Sequence, residues 1–413
     1  DPSRKMASLV VDDDSKAPPS LELPEIPLSL DFHPTLNVLA SGLVDGGIYL
    51  NQYNFEEHSP ATIHIHPFRE GAGGCRVVRF SKDGQSLFAG SADHSIIALS
   101  TTGQVVWNQP DAHRDPVSCL TVIDDNMIAS GDDSGAVKIW DIRQSDRPAM
   151  SFDVFQDYVS DCVNDQESHP ECLLATSGDG SLGCFDMKQQ KLIGRSDELE
   201  EDILSVQIIK RGRKVVCGTN EGTILIFSWG YWSGGSDSFP GHPESVGAIL
   251  KLNEETILTG SSDGFIRVVG IQPSKLYGLV GDHEGFPLEK MRWSNDKNLI
   301  GSISHDNLVR FWDVSYLHED DDDEEEGEKA EDDESNFVDQ TSDEILQHIR
   351  KQRTENGDDD SEDDWEDDDG DDGDMADSDS DSDSGGNGGA GGGGGGHSQT
   401  QFKTQAENFF QDL

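Results

Sequence analysis

Basic residues are scarce in this chain. Its 413 residues hold 30 lysines and arginines against 82 aspartates and glutamates, a formal net charge of −52. Such a molecule repels phosphate backbones, which argues against non-specific nucleic-acid binding by the chain as a whole. Basic proteins are the partners that this charge favours, and ribosomal proteins and histones are the abundant ones. Cysteine is sparse too: six residues, at 75, 119, 162, 172, 184 and 217, with no CxxC pair among them. That excludes a disulfide framework or a zinc ribbon and points to buried free thiols in a reducing compartment. No apolar run approaches the length of a membrane span, and no hydrophobic signal peptide is present. Catalytic signatures are missing as well. There is no GxxxxGK[ST] phosphate loop, no HExxH and no GxSxG elbow between a strand and a helix. Paired carboxylates are everywhere in so acidic a chain and single out nothing. The expectation is a protein that is not an enzyme and holds no cofactor or metal, with no membrane segment.

The charge is unevenly spread. Residues 1–318 carry a net −21, and residues 319–413 a net −31 with only 5 basic residues. The second segment runs through Asp320 to Glu326, Asp358 to Asp374 and a Ser-Asp alternation up to Asp383, then a glycine run from Gly391 to Gly396. It cannot bury enough apolar surface to fold, so an acidic, low-complexity disordered tail is expected. Two islands interrupt it. Residues 342–353 read as a short capped amphipathic helix, with Ser342 as cap and Ile345, Leu346 and Ile349 on one face. Too short to be stable alone, it is expected to fold against a partner. The ending Phe409-Phe410-Gln411-Asp412-Leu413 reads as a second anchor, with Phe409, Phe410 and Leu413 suited to a hydrophobic pocket.

What fills residues 20–318 is one phrase in seven registers. Its clearest copies run from Ser130 to Asp141 and from Ser302 to Asp313. Each is a small-residue strand end, a tight acidic turn and a β-rich strand closing on Trp-Asp. The turn position falls at Asp45, Asp93, Ser134, Asp179, Glu221, Asp263 and Asp306, with spacings of 48, 41, 45, 42, 42 and 43 residues. Six residues on, the closing slot holds Asn51, Leu99, Trp140, Phe185, Phe227, Val269 and Trp312. Further β-prone runs such as Val117 to Ile123 and Lys275 to Val280 give four short strands per repeat. A period in the low forties with four strands per unit predicts an all-β propeller of seven blades. After Trp312-Asp313 the chain turns acidic, so the last blade lacks its fourth strand. An open edge there would be costly. The N-terminal segment can supply the strand, from Ser8–Val11 or from Ser20–Leu23, and the second is favoured by the prolines at 18, 19 and 24. Residues 1–19 are then an N-terminal extension.

Residues 20–318 resemble the WD-repeat family. In that family a loop His, a strand Ser, the turn Asp and the Trp form a hydrogen-bonded chain inside the blade, because a buried indole N–H and imidazole need partners. His283, Ser302, Asp306 and Trp312 fit the set in repeat seven. His113, Ser130 and Trp140 fit it in repeat three, where the acid slot holds Ser134 and Asp133 stands one place early. Trp140, Asp141 and Arg143 also resemble the WDxR box by which substrate receptors dock on the adaptor of cullin–RING ubiquitin ligases. The other reading of Arg143 is a solvated arginine after an ordinary blade strand. Lys210, Arg211, Arg213 and Lys214 form a basic turn that suits RNA phosphate or a nuclear address, or is simply a charged hairpin.

The opening Leu28 to Pro34, the stretch Val38 to Gly46, Ser130 to Asp141, the aspartate-rich tail and the Phe-Phe-x-Asp-Leu ending together resemble the WD-repeat protein 55 group, which includes the fungal Jip5 proteins. The resemblance implies a nuclear or nucleolar scaffold needed for ribosomal RNA processing and large-subunit maturation. Its implied partners are pre-60S assembly factors or basic ribosomal proteins, with the chain a monomer within larger complexes. A cullin4-type ligase receptor and a histone-binding chromatin propeller are the alternatives.

Overall fold

The computed structural model describes residues 17–53, 62–68, 73–100, 102–144 and 147–318. The expected helix at 342–353, the anchors Ile345, Leu346, Ile349, Phe409, Phe410 and Leu413, and the candidate strand at residues 8–11 lie outside them. Within the described residues are 28 strands in seven antiparallel four-stranded sheets, with a 3-10 turn at Ser315–Leu317. Six sheets are made of consecutive strands, as in blade one with Pro27–Phe32, Val38–Leu43, Ile48–Gln52 and Thr62–Ile65. First strands of successive blades pack on one another, and that of blade seven, Leu288–Trp293, returns to that of blade one. The molecule is an all-β, seven-bladed propeller.

Close blade packing explains the small residues in the repeated phrase. A Cβ added to Gly131 would lie 2.5 Å from Val159, on the first strand of the next blade, so nothing larger than glycine fits. Around these contacts the second strands are fully buried, as in Val38–Leu43, Cys172–Ser177 and Leu299–Ser304. All seven first strands carry a β-bulge at one level, such as that between Val117 and Cys119. The bulge increases local twist and turns an extra residue toward the ring axis.

The seam is closed by the second of the two candidate segments. Leu21–Glu22 pairs antiparallel with Leu308–Asp313, with Leu21 opposite Val309 and Glu22 opposite Leu308. The Leu23 amide then donates to the Asn307 carbonyl at 2.9 Å. Leu23 is buried among Leu30, Phe32, Val309 and Phe311, so the strand brings its own share of core to the seam.

Strand direction sorts every loop onto one of two faces. Turns after the first and third strands emerge together, and we call that side the hairpin face. Turns after the second strands and the links between blades emerge on the other, the link face.

Candidate functional site

Blade three contains a complete polar chain, and its acid is neither Ser134 nor Asp133. The Trp140 indole N–H donates to Ser130 Oγ at 2.8 Å, Ser130 Oγ lies 2.7 Å from His113 Nε2, and His113 Nδ1 lies 2.8 Å from Asp132 Oδ2. This geometry fits the tautomer in which Ser130 donates to Nε2 and Nδ1–H donates to the carboxylate. The other Asp132 oxygen accepts from the Ser134 amide and hydroxyl and from the Ala136 amide. Burial by itself would raise the Asp132 carboxyl, but the bonds from His113, Ala136 and Ser134 outweigh it and hold it below the ordinary carboxylate range. Asp133 turns outward to Arg76 at 2.6 Å. Counting back from the tryptophan missed this, because the acid at the strand end reaches the same histidine as one placed in the turn.

Blade seven is the looser of the pair. Trp312 donates to Ser302 at 2.7 Å and Ser302 meets His283 Nε2 at 2.6 Å, but His283 Nδ1 stands 3.6 Å from Asp306. Asp306 instead accepts from Arg310, at 3.1 Å from Nη2. Burial lowers the His283 imidazole to about 4, so the ring is neutral at physiological pH.

A third network, in blade six, escaped the sequence reading because its closing slot is Val269. His242 Nε2 bonds Thr259 Oγ1 at 2.8 Å, and the fully buried Arg267 holds Asp263 at 2.9 Å. A signal was present: His242 precedes Thr259 by 17 residues, the separation between His113 and Ser130. All three networks lie within blades, where they order strands and loops.

Arg143 stands on the hairpin face, past the third strand of blade three, with its side chain 66% exposed. Its Nε and Nη2 donate to the two oxygens of Asp141 at 2.8 and 2.7 Å. That fork, with further bonds from the Arg143 amide and Gln144, pulls the Asp141 carboxyl down to about 2. Trp140 is buried behind it. Trp140, Asp141 and Arg143 are therefore one unit: the tryptophan fixes the strand end, the aspartate orients the guanidinium, and the fork's outer edge faces solvent.

The basic turn is on the same face, in blade five, and its four cations are not equivalent. Lys210 is buried and paired with Glu255 of blade six. Lys214 donates to Ser228 and Ser236. Arg211 and Arg213 are exposed, and Arg213 uses its Nε on the Lys210 carbonyl.

Charge divides the two faces. On the link face the seven turn positions after the second strands are Asp45, Asp93, Asp133, Asp179, Glu221, Asp263 and Asp306, or a serine beside its acid in blade three. The link from Ser196 to Asp202 alone adds Asp197, Glu198, Glu200 and Glu201. Among the described residues of these turns and links, Arg114 is the single basic residue. On the hairpin face bases and acids interleave, with Lys82, Arg143, Lys188, Arg211, Arg213 and Lys297 among Asp83, Asp125, Glu167, Glu254 and Asp296. At the centre of the link face the bulged residues, from Leu28 to Glu289, surround a cavity of about 310 Å³ with Tyr158 and Lys290 at its wall. Below it Asp31 is raised to about 6 by burial, against the opposing pull of Arg79.

The six cysteines are all buried and free; Cys119 and Cys162 touch across the boundary between blades three and four, with sulfurs 3.6 Å apart. No group of three or more potential metal ligands occurs among the described residues, and no described helix is long and apolar enough to cross a membrane.

Seven four-stranded blades with an N-terminal closing strand, and the Trp-Ser-His-Asp chain inside a blade, define a WD-repeat propeller, a class made up largely of non-enzymatic scaffolds for protein–protein interaction. The chain belongs to the WDR55 family, whose profile matches residues 18–317. It is 39% identical over 292 residues to WD repeat-containing protein 55 of Arabidopsis thaliana, covering 70% of this chain and 81% of that protein. Human WD repeat-containing protein 55 is 35% identical over 318 residues, 74% of this chain and 82% of that protein. A chain of the solved structure titled Crystal Structure of Mitotic Checkpoint Complex superposes with a TM-score of 0.64. It covers 74% of this chain and 94% of that one at 16% identity, a likeness of fold alone.

Proposed function

We propose that this protein is a non-enzymatic scaffold of ribosome production in the nucleus and nucleolus, serving ribosomal RNA processing and large-subunit maturation. Membership of the WDR55 family supports the reading, and one structural observation carries it: all seven second-strand turns of the link face carry a carboxylate, and Arg114 is the single basic residue of the described turns and links. Strand arginines pair with four of those acids, Asp133, Asp179, Asp263 and Asp306, and leave the others to solvent and partners. Such a face is complementary to basic proteins and discourages acidic ones before any contact is made. Ribosomal proteins and the factors that carry them have the required charge. Depletion of the protein from cells tests this directly. Precursor ribosomal RNAs should accumulate, and the protein should co-sediment with pre-60S particles. Normal processing in depleted cells would sink the reading, and recovery of histones in place of ribosomal proteins would favour a chromatin role.

The exposed fork of Arg143 supports a second reading, a receptor for a cullin4-type ligase. Arg143→Ala should abolish capture of the ligase adaptor while leaving the unfolding midpoint within error, because the side chain is mostly in solvent. Equal adaptor capture by the variant would remove the box from consideration.

A further inference from the structure

We propose that the blade-five end of the hairpin face is a platform for single-stranded nucleic acid, built from Arg211, Arg213, Tyr231 and the stacked pair Trp229 and His169. The inference stands on the geometry of this end of the ring and does not need the ribosomal reading.

Its first component is the turn. Lys210, Arg211 and Gly212 have φ of 56°, 52° and 76°, three successive residues in the left-handed region that L side chains seldom hold. The conformation is pinned from both neighbouring blades. Lys210 reaches Glu255 of blade six, and His169 of blade four donates from Nε2 to the Gly212 carbonyl at 2.9 Å. Pinned this way, the turn spends Lys210 on structure and leaves Arg211 and Arg213 in solvent.

The second component is aromatic. His169 and Trp229 lie face to face, ring centroids 3.5 Å apart and planes 2° from parallel, and Trp232 closes on Trp229 edge-on at 5.3 Å. Next to this fixed stack is Tyr231, 78% exposed, the most exposed large apolar side chain among the described residues. Nothing lies within 4 Å of the position a Cβ would take on Gly230 beside it, so the space is open. Ser228 pairs with Lys214 on one side and bridges to Tyr231 on the other. Two strand spacings, about 10 Å, therefore separate the backbone of Lys214 from that of Tyr231.

Guanidinium and exposed ring together match a nucleotide better than an acidic peptide. A phosphate accepts two parallel bonds from a guanidinium, and every base offers a face for stacking on tyrosine. An acidic peptide would use the arginines and leave Tyr231 without a role. The nucleic acid must be single-stranded, because bases in a duplex are stacked on each other. Chain charge does not forbid the contact. Strands of about six residues put roughly 20 Å between the platform and the acidic link face, more than twice the screening length of about 8 Å at physiological salt. The acids beside the turn are engaged: Glu255 pairs with Lys210, and Glu254 pairs with Lys251 and accepts from the Arg211 amide.

The test is fluorescence anisotropy with the full chain and labelled oligo(U) or oligo(dT) of roughly twelve nucleotides, between about 50 and 200 mM salt. Arg211→Ala with Arg213→Ala should weaken binding at least about 10-fold at the lower salt. It should also flatten the log–log salt slope by about 1.4, the share of two phosphates on a single strand. Tyr231→Ala should weaken binding about 10-fold with the slope unchanged, and Tyr231→Phe should bind like the parent. Whichever oligonucleotide binds tighter names the source of the ligand, and a preference for either supports the platform. An unaffected Tyr231→Ala overturns the proposal, as does competition by a polyglutamate peptide as effective as oligo(U), or parent binding no tighter than that of the double-arginine variant. Should that variant fail to fold, Tyr231→Ala decides alone, since Tyr231 is mostly in solvent.

Discussion

Asp132 and Asp306 show how much one hydrogen bond distinguishes two copies of the same phrase. Asp132 accepts from His113, from the Ser134 amide and hydroxyl, and from the Ala136 amide, all inside the blade. Asp306 has its histidine at 3.6 Å and spends its bonds on Arg310 and the Leu308 amide. Removing a buried acceptor costs its bonds plus the desolvation of donors left unpaired, about 3 kcal/mol for a charged group in such a site. Asp132→Ala should therefore lose about 3 kcal/mol in urea unfolding, and Asp306→Ala clearly less. Equal losses, or the reverse order, would refute the assignment. Of the three blade-three residues that could be named from the sequence, Ser130 and Trp140 stand 10 apart like Ser302 and Trp312, while His113 comes from the incoming loop, 17 residues before its serine against 19 in blade seven. The acid could not be so named, since a side chain two positions along a tight turn reaches the same imidazole. Lys210 illustrates the same limit: its neighbours in sequence are bases, but its partner Glu255 comes from another blade.

At the scale of an element, the two-residue strand Leu21–Glu22 has an effect out of proportion to its length. It pairs the edge of Leu308–Asp313 and brings Leu23 into the core between blades seven and one. Without it, blade seven would expose a strand edge and the Leu30, Phe32 and Phe311 cluster would lose a wall. Deleting residues 17–24 should lower the thermal midpoint and speed hydrogen exchange first in Leu308–Asp313, while Cys172–Ser177 on the far side of the ring keeps its protection. Unchanged exchange in Leu308–Asp313 would mean that the strand does not latch the ring. That such a strand was needed was legible from the truncated seventh repeat. Its identity was legible only in part: two segments had the right composition, and the prolines flanking residues 20–23 tipped the choice.

For the whole molecule, the decisive property is the division of charge between faces. The net −21 of residues 1–318 has no side in the sequence, but antiparallel strands send every second turn to the same face. Acids cluster in the turns after second strands and in the links, so they accumulate on one face, while the hairpin turns mix both signs. On the proposed ribosomal role, attraction of basic partners to that face would be long-ranged and exposed to solvent, and co-sedimentation with pre-60S particles should fall steeply as salt rises. Salt-resistant co-sedimentation would place the grip on apolar contacts instead.

By itself the sequence determined the all-β class, the seven repeats and the four-stranded blade as their unit, because strand alternation, turn residues and repeat period are local properties written along the chain. Only the tertiary structure decided which acid completes blade three, which segment closes the ring, which of the four bases at residues 210–214 face solvent, and that the carboxylates share a face. Each of those depends on groups from different strands, loops or blades meeting in space, and no local pattern records the meeting.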